Sequence, residues 1–456
     1  MFATVNKSFV LYFFQRKDDS MNEAQALKHT FEHTRTYFPS LGNSYKGRPV
    51  LFFDNSAGAQ VSQFVIDRVT DYYIHRNAQK GTIFTRTAEM QQTIVDARQL
   101  AADLVGATDH TEIAFGQNAT NFFHLYAHHL GRDLQAGDHI IITEADHHAN
   151  VNPWMELAER DIHVHLWNVD AQGSLDFDHY EQLLALKPKL VAVGWASNAT
   201  GTIHDMPRIT AMAHRAGALV VADGVQAASH IAMDVKAADV DFAAFSTYKI
   251  FGPHMGFGYV NRDRLERLEG WRIQHELERD SYFFEVGSQN HEGIEGFIGS
   301  MEYLAQVTKD AEGNGLSLDK TPLANSRPSR HEIAGAMHFA HEYEQQLTDH
   351  FLAKLADVEG VVLYGKSAEQ ADERLPVFSF NIEGIETDTL GHALNDASIE
   401  ARTGNYLAIN LMKRLAEPFG GSALRISLVH YNTVEEIDLF FGIFAQVLTD
   451  LKMKVD

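Results

Sequence analysis

Between residues 112 and 260 the chain repeats one pattern: a short apolar run, an amphipathic stretch, then another apolar run. The apolar runs fall at 112–115, 139–142, 164–169, 190–194, 218–222, 242–245 and 258–260. Apolar residues at helical spacing mark 121–130, 151–159, 180–186 and 206–216 between them. Strands alternating with helices build βαβ units, hence an α/β fold with a mainly parallel sheet covered by helices on both faces. Ligands of such sheets sit beyond the carboxyl ends of the strands, so those ends are where chemistry is to be sought.

The flanks read differently. Residues 1–21 form a leader whose apolar run at 9–14 is too short for a signal-peptide core, and Met21 is a second possible start. Residues 22–48 hold a polar helix, 22–38, and are expected to pack on the C-terminal domain. A short strand at 50–53 runs into the small-residue turn Asp54–Ala59, followed by helices at 61–75 and 86–106. The large domain spans 49–306, and 307–330 is a polar insertion or linker. From 331 to 456 a smaller α+β domain follows. It has helices at 331–355, 387–396, 407–415 and 434–450, and strands at 361–364, 377–382, 399–403 and 424–428.

Composition removes several function classes. A net charge of −23 argues against nonspecific binding to nucleic acid or anionic membranes. There is no cysteine, so no disulfide, thiolate metal site or cysteine nucleophile is available, which fits a cytoplasmic protein. No apolar run reaches the length of a membrane span. The pairs His29/His33 and His124/His128 share a helix face, but neither has the glutamate of a zinc-protease motif, and no metal site is expected. A nucleotide-binding Gly-x-Gly-x-x-Gly turn after an early strand is also absent.

The strand ends carry the candidates. The run 242–245 leads into Ser246, Thr247, Tyr248 and Lys249, with Gly252-Pro253 beyond. Lys249 either snorkels to solvent or uses its amine to form a Schiff base. The run 218–222 ends in Asp223-Gly224-Val225-Gln226. Asp223 is a turn carboxylate or the partner of a protonated pyridine nitrogen, and with Lys249 it suits pyridoxal phosphate. Ala119 and Thr120 follow the run 112–115 at a helix start. They are a plain helix cap or a phosphate site, to which Ser246 and Tyr248 could add donors. His147, after 139–142, either lies on a planar ring and shuttles protons or is satisfied by the backbone. Arg425, alone in an apolar strand, needs a carboxylate from substrate or protein, and Arg402 is a second such candidate.

Taken together the motifs resemble a family. Asp223-Gly-Val-Gln226, Ser246-Thr-Tyr-Lys-Ile-Phe-Gly-Pro253, Asp146-His-His-Ala-Asn150, Ser197-Asn-Ala-Thr-Gly-Thr202 and Arg402-Thr-Gly404 stand in the order of fold-type I pyridoxal-phosphate enzymes of the class V aminotransferase group. The resemblance is strongest to the cysteine desulfurases and cysteine desulfurase-like proteins, within them to the branch without the catalytic cysteine, and covers roughly 35–450. It implies a seven-stranded, mainly parallel sheet in the large domain. It further implies that Lys249 forms the Schiff base, Asp223 meets the pyridinium, Gln226 bonds the ring hydroxyl and His147 stacks on the ring. The Ala119 backbone, Thr120 and Ser246 would bind phosphate, and Asn198 would flank the ring. Arg425 would take the substrate carboxylate, with Arg402 and Asn55 nearby. A homodimer is implied, with Ser288 reaching the partner's phosphate.

One departure is chemical. Desulfurases of the matching type carry a sulfur-accepting cysteine just after the Arg-Thr-Gly motif, and Leu407 holds that place here. The expectation is therefore a pyridoxal-phosphate enzyme of a C–S lyase or related β-elimination type. Transamination, epimerisation of the isopenicillin N epimerase kind and a non-catalytic pyridoxal-phosphate-binding protein are the alternatives.

Overall fold

The computed structural model describes residues 20–45, 47–265, 281–285, 287–313 and 327–453. Nearly all of the expected leader, and 314–326 of the expected insertion, lie outside them. The chain opens with α1 (Ser20–Thr34), β1 (Leu51–Phe52), α2 (Gln63–Asp71) and α3 (Thr85–Val105). The alternating region holds β2 (Ile113–Gly116), α4 (Ala119–Gly131), β3 (His139–Thr143), β4 (His163–Trp167) and α5 (Phe177–Leu184). It continues through β5 (Leu190–Gly194), α6 (Met206–Ala216), β6 (Leu219–Asp223), β7 (Phe242–Ser246) and β8 (Gly256–Val260). Two long helices follow, α7 (His291–Ala311) and α8 (Arg330–Ala356). The C-terminal part has β9 (Val361–Tyr364), β10 (Val377–Ile382), α9 (Thr387–Asp396), β11 (Ile399–Glu400), β12 (Arg402–Gly404), α10 (Ile409–Leu415), β13 (Ala423–Ser427) and α11 (Val434–Lys452).

Seven strands form the large sheet in the order β2-β8-β7-β6-β5-β3-β4. Only β8 runs against its neighbours, β7 and β2. The inner strands β5, β7 and β8 are buried along their whole length, as strands covered on both faces must be. β2, β3, β5, β6 and β7 end on one edge, so the residues after Gly116, Thr143, Gly194, Asp223 and Ser246 converge there. The second sheet, β9-β10-β13-β12, is antiparallel, and α11 packs beside α8 and α9 in the same part of the molecule.

Several expectations are corrected. The strand at 50–53 shrinks to β1 and pairs in parallel with β11, while Asp54 bridges Ser427. That segment thus joins the C-terminal sheets rather than the large one. The polar stretch at 307–330 begins inside α7, whose last turn holds Val307 and Thr308 buried. α7 itself was not expected. Its glycines and charges hide a helix that is buried almost throughout, with Gly299 letting it lie against the backbone of Phe64 and Val65. The helix expected at 61–75 ends as a π turn, Tyr72–Arg76. The one expected at 151–159 is a short helix followed by a 3-10 segment. α5 starts earlier than its apolar pattern because the Asp176 side chain caps the backbone of Asp178 and His179. α1 leans on both α7 and α8, with Phe31 stacked on Tyr343 at 4.9 Å, and its Lys28 pairs with Glu435 on α11. No described helix is long and apolar enough to cross a membrane.

Gly256 shows how tightly the site's edge is built. A Cβ there would lie 2.6 Å from the backbone of both Asn118 and Phe245. The missing side chain lets β8 press between the start of α4 and the end of β7, so that Ser246 reaches the Ala119 N–H at 3.1 Å. Gly256→Ala is expected to cost about 1–3 kcal/mol of stability through overpacking, read as a lower denaturation midpoint at unchanged slope.

Candidate active site

A cleft of about 500 Å³, open to solvent, lies beyond the carboxyl edge of the large sheet. It is lined by Ala119, Thr120, His147, Asn198, Asp223, Gln226, Ser246 and Lys249, which come from five strand ends. Nearly every residue expected at the cofactor thus meets in one cavity. Ser288 does not. It is exposed on the loop before α7, outside the cleft of its own chain.

Lys249 is 8% exposed. The strand β7 carries it inward, and the 3-10 turn Thr247–Lys249 directs it to the sheet edge. Burial pushes the amine below its ordinary 10.5, and the nearby Arg425 pushes the same way. Asp223 draws it back up. The carboxyl of Asp223 is raised by burial, against a hydrogen bond from the Val225 N–H at 2.9 Å and the charge of Lys249. Only one of its oxygens accepts that bond, which leaves the other for a cationic partner.

His147 is fixed by its backbone. The Ala149 N–H donates to its Nδ1 at 3.0 Å, so the neutral ring carries its proton on Nε2. Burial, with help from Lys249, His148 and Arg425, lowers its pKa to about 3. The ring is therefore uncharged at neutral pH and is a donor, not a base, at Nε2. Proton shuttling, expected from the sequence, would require breaking the Ala149 bond. Beneath it lies Asp146, which sequence reasoning passed over. It accepts from the Gly194 N–H and from Asn150 Nδ2, each at 2.8 Å, and burial raises its carboxyl to about 7.

The arginines are already engaged. Arg425, 2% exposed, donates to the Asn198 carbonyl at 2.9 Å and to Asp54 Oδ1 at 3.2 Å, and its Nε has no partner among the described residues. Arg402 grips the same Asp54 at 2.7 Å from the more exposed side. Two cations share one anion, so the cluster keeps a surplus positive charge. Asp54 was read only as a turn residue. The signal that points to it is the lone arginine in an apolar strand, which demands a carboxylate. Asn55 has a different task from the one expected. Its amide donates to the Ser427 carbonyl at 2.7 Å and to Asn432 at 3.1 Å, and its oxygen accepts from Tyr431, so it ties the 54–57 turn to the end of β13.

Among the described residues, two buried polar atoms in the cleft wall lack partners: Gln226 Oε1 and Asn198 Oδ1. Unmet atoms of this kind, at 3% and 7% residue exposure, are costly unless a ligand meets them. Thr120 stands at the first turn of the 13-residue α4, where backbone N–H groups face outward and favour an anion. An amine, a carboxylate, an anion site and an amide around one slot fit the aldehyde, ring nitrogen, phosphate and ring oxygen of pyridoxal phosphate. Fold and cleft together define a fold-type I enzyme of this cofactor class.

Comparison with known proteins agrees. The aminotransferase class-V model matches residues 51–314 and 331–440. A cysteine desulfurase of Synechococcus elongatus is 32% identical over 447 residues, covering 94% of this chain and 65% of its own length. One from Serratia proteamaculans is 33% identical, covering 89% of this chain and 95% of its own. The solved apo structure of a cysteine desulfurase from Thermococcus onnurineus NA1 superposes with TM-score 0.76 at 25% identity, covering 88% of this chain and 95% of its own. The chain belongs to the aminotransferase class-V family, and is a pyridoxal-phosphate-dependent enzyme.

The buried amine gives a pH prediction. The protein stripped of cofactor is expected to regain visible colour with pyridoxal phosphate at a rate whose pH midpoint lies below 10.5, since only the neutral amine adds to the aldehyde. Arg425→Leu removes a neighbouring cation and raises that midpoint. Lys249→Ala abolishes the reaction.

Proposed function

We propose that this chain eliminates a leaving group, sulfide foremost, from the β-carbon of a small amino acid, with no persulfide carried on its own side chains. The observation that supports this is Leu407. It is 54% exposed, and its carbonyl accepts the N–H of His148, beside the cleft. An inert alkyl group thus stands where a desulfurase thiol would, in a chain without cysteine.

The residues divide the work. Lys249 holds the cofactor, and Asp223 balances a proton on its ring nitrogen. The Ala119 backbone, Thr120 and Ser246 take the phosphate, joined by Ser288 of the partner subunit in a cytoplasmic homodimer. Gln226 faces the ring oxygen, Asn198 flanks the ring, and neutral His147 lies against it. When bound, the cofactor supplies an electron sink for the pair left at the α-carbon. Arg425 and Arg402 orient the substrate carboxylate through their surplus positive charge. Lys249, its amine lowered by burial to about 8, would remove the α-proton once freed of the cofactor. The β-substituent leaves with its electron pair and, meeting no thiol, passes to solvent or to a second small molecule.

With cysteine as substrate, pyruvate and sulfide are expected in equal amounts, and both are lost in Lys249→Ala. Amino transfer to a keto acid without pyruvate, or inversion with solvent deuterium at the α-carbon, would replace elimination with transamination or epimerisation. Colour without turnover on any amino acid would leave a binding protein.

A further inference from the structure

Behind Gln226 the fold builds a polar chain that the roles above leave unused. Gln226 Nε2 lies 3.2 Å from His230 Nε2, and His230 Nδ1 lies 2.7 Å from Glu344 Oε2. All three side chains are buried, His230 and Glu344 to 1% exposure. The other titratable groups around the pair are His430, whose Nδ1 is 3.8 Å from Glu344 Oε1, and His341, one turn earlier on α8. Tyr303 of α7 closes the far end on His430 Nε2 at 2.5 Å. On the cleft side stand Asp223 and Lys249.

The chemistry of an amide next to an imidazole allows two arrangements. With one proton, on Nδ1 toward Glu344, His230 offers a lone pair at Nε2. Gln226 then points its NH2 at His230 and leaves Oε1 without a partner, which is the arrangement of the atoms here. With two protons His230 is a donor at both nitrogens. Gln226 must then make a half-turn, give Oε1 to His230 and aim its NH2 into the cleft. Burying an imidazolium is tolerable only beside a carboxylate, and Glu344 supplies it. An electron-rich ring oxygen in the cleft is matched by the second arrangement alone.

We infer that His230, held by Glu344, is a positioning residue that sets which end of the Gln226 amide faces the cofactor, and that cofactor loading selects the doubly protonated, donor-facing state. This rests on the reading that Gln226 meets the ring oxygen. The linkage also reaches the C-terminal part. Glu344 is on α8, and His430 follows β13, the strand that carries Arg425. The donor at the ring oxygen is thereby tied to the strand that presents the substrate carboxylate's partner.

The test uses full-length protein loaded with pyridoxal 5′-phosphate and the pH midpoint of its visible absorbance change. A donor on the ring oxygen weakens that oxygen's hold on the proton it shares with the Lys249 nitrogen, so losing the donor raises the midpoint. Gln226→Leu and His230→Phe are each expected to raise it by about one unit. The double variant should rise no further, because the two residues act as one device. Glu344→Gln keeps the shape, removes the charge, and should shift the midpoint the same way; if His230→Phe does not fold, this variant decides. Unmoved midpoints in the His230 and Glu344 variants while Gln226→Leu shifts, or additive shifts in the double variant, overturn the inference alone. Wild-type protein that takes up no cofactor overturns the functional reading and the inference with it.

Discussion

The site depends on one placement: an amine buried at the end of β7 with a carboxylate at the end of the neighbouring β6. β6 and β7 are paired in register, with Asp223 opposite Ala244. The separation of Lys249 from Asp223 is thus set by this register and by the short 3-10 turn that follows β7. A cation and an anion held out of water repay their desolvation poorly unless something else uses them. Burial lowers the amine toward the neutral form that can add to an aldehyde, while the rise that burial causes in Asp223 is countered by the Val225 N–H and the charge of Lys249. A ligand with an aldehyde and a basic ring nitrogen, bound between them, would turn this cost into preorganisation.

The second sheet contributes through charge. β13 carries Arg425 into the space between the sheets, where Asn198 gives it a carbonyl and Asp54 a carboxylate. Asp54 belongs to the segment that β1 and Asn55 fasten to the C-terminal sheets. The carboxylate that holds the arginine is therefore fastened to the same sheets as the arginine, while the Asn198 carbonyl follows a strand of the large sheet. Arg374 reinforces the same junction. It is buried, with no counter-ion among the described residues, and donates to the carbonyls of Thr200, Lys366 and Val377; burial lowers its pKa to about 9.

The strand ends were legible because a parallel sheet leaves a local signature: short apolar runs with a polar residue directly after them. Lys249, Asp223, Gln226, His147 and Thr120 could all be marked that way, and all line one cleft. What could not be read depends on partners distant in sequence. Asp54 and Arg425 are 371 residues apart, and nothing local to Asp54 distinguishes a clamp from a turn. α7 was missed for a related reason. A helix buried on nearly every side has no polar face, and its buried Glu295 and Glu302 look like solvent-facing residues until Arg68 and Arg76 are seen to meet them. Domain limits drawn from hydrophobic runs likewise could not foresee that 51–52 would pair with 399–400.

Leu407 shows how a single position turns the chemistry. It and Tyr406 both adopt positive φ, 60° and 54°, which costs a residue with a Cβ. The strain is held from three sides. The Asn198 amide donates to the Tyr406 carbonyl, His148 donates to that of Leu407, and the Tyr406 ring packs on the Arg425 guanidinium at 4.5 Å. The backbone is thus pinned in a form that presents the side chain at 407 to solvent beside the cleft. That geometry suits a reactive group, yet the group here is an alkyl chain. The loop therefore holds an alkyl side chain in a fixed place beside the cleft, while the titratable groups of the cleft sit on the edge of the large sheet.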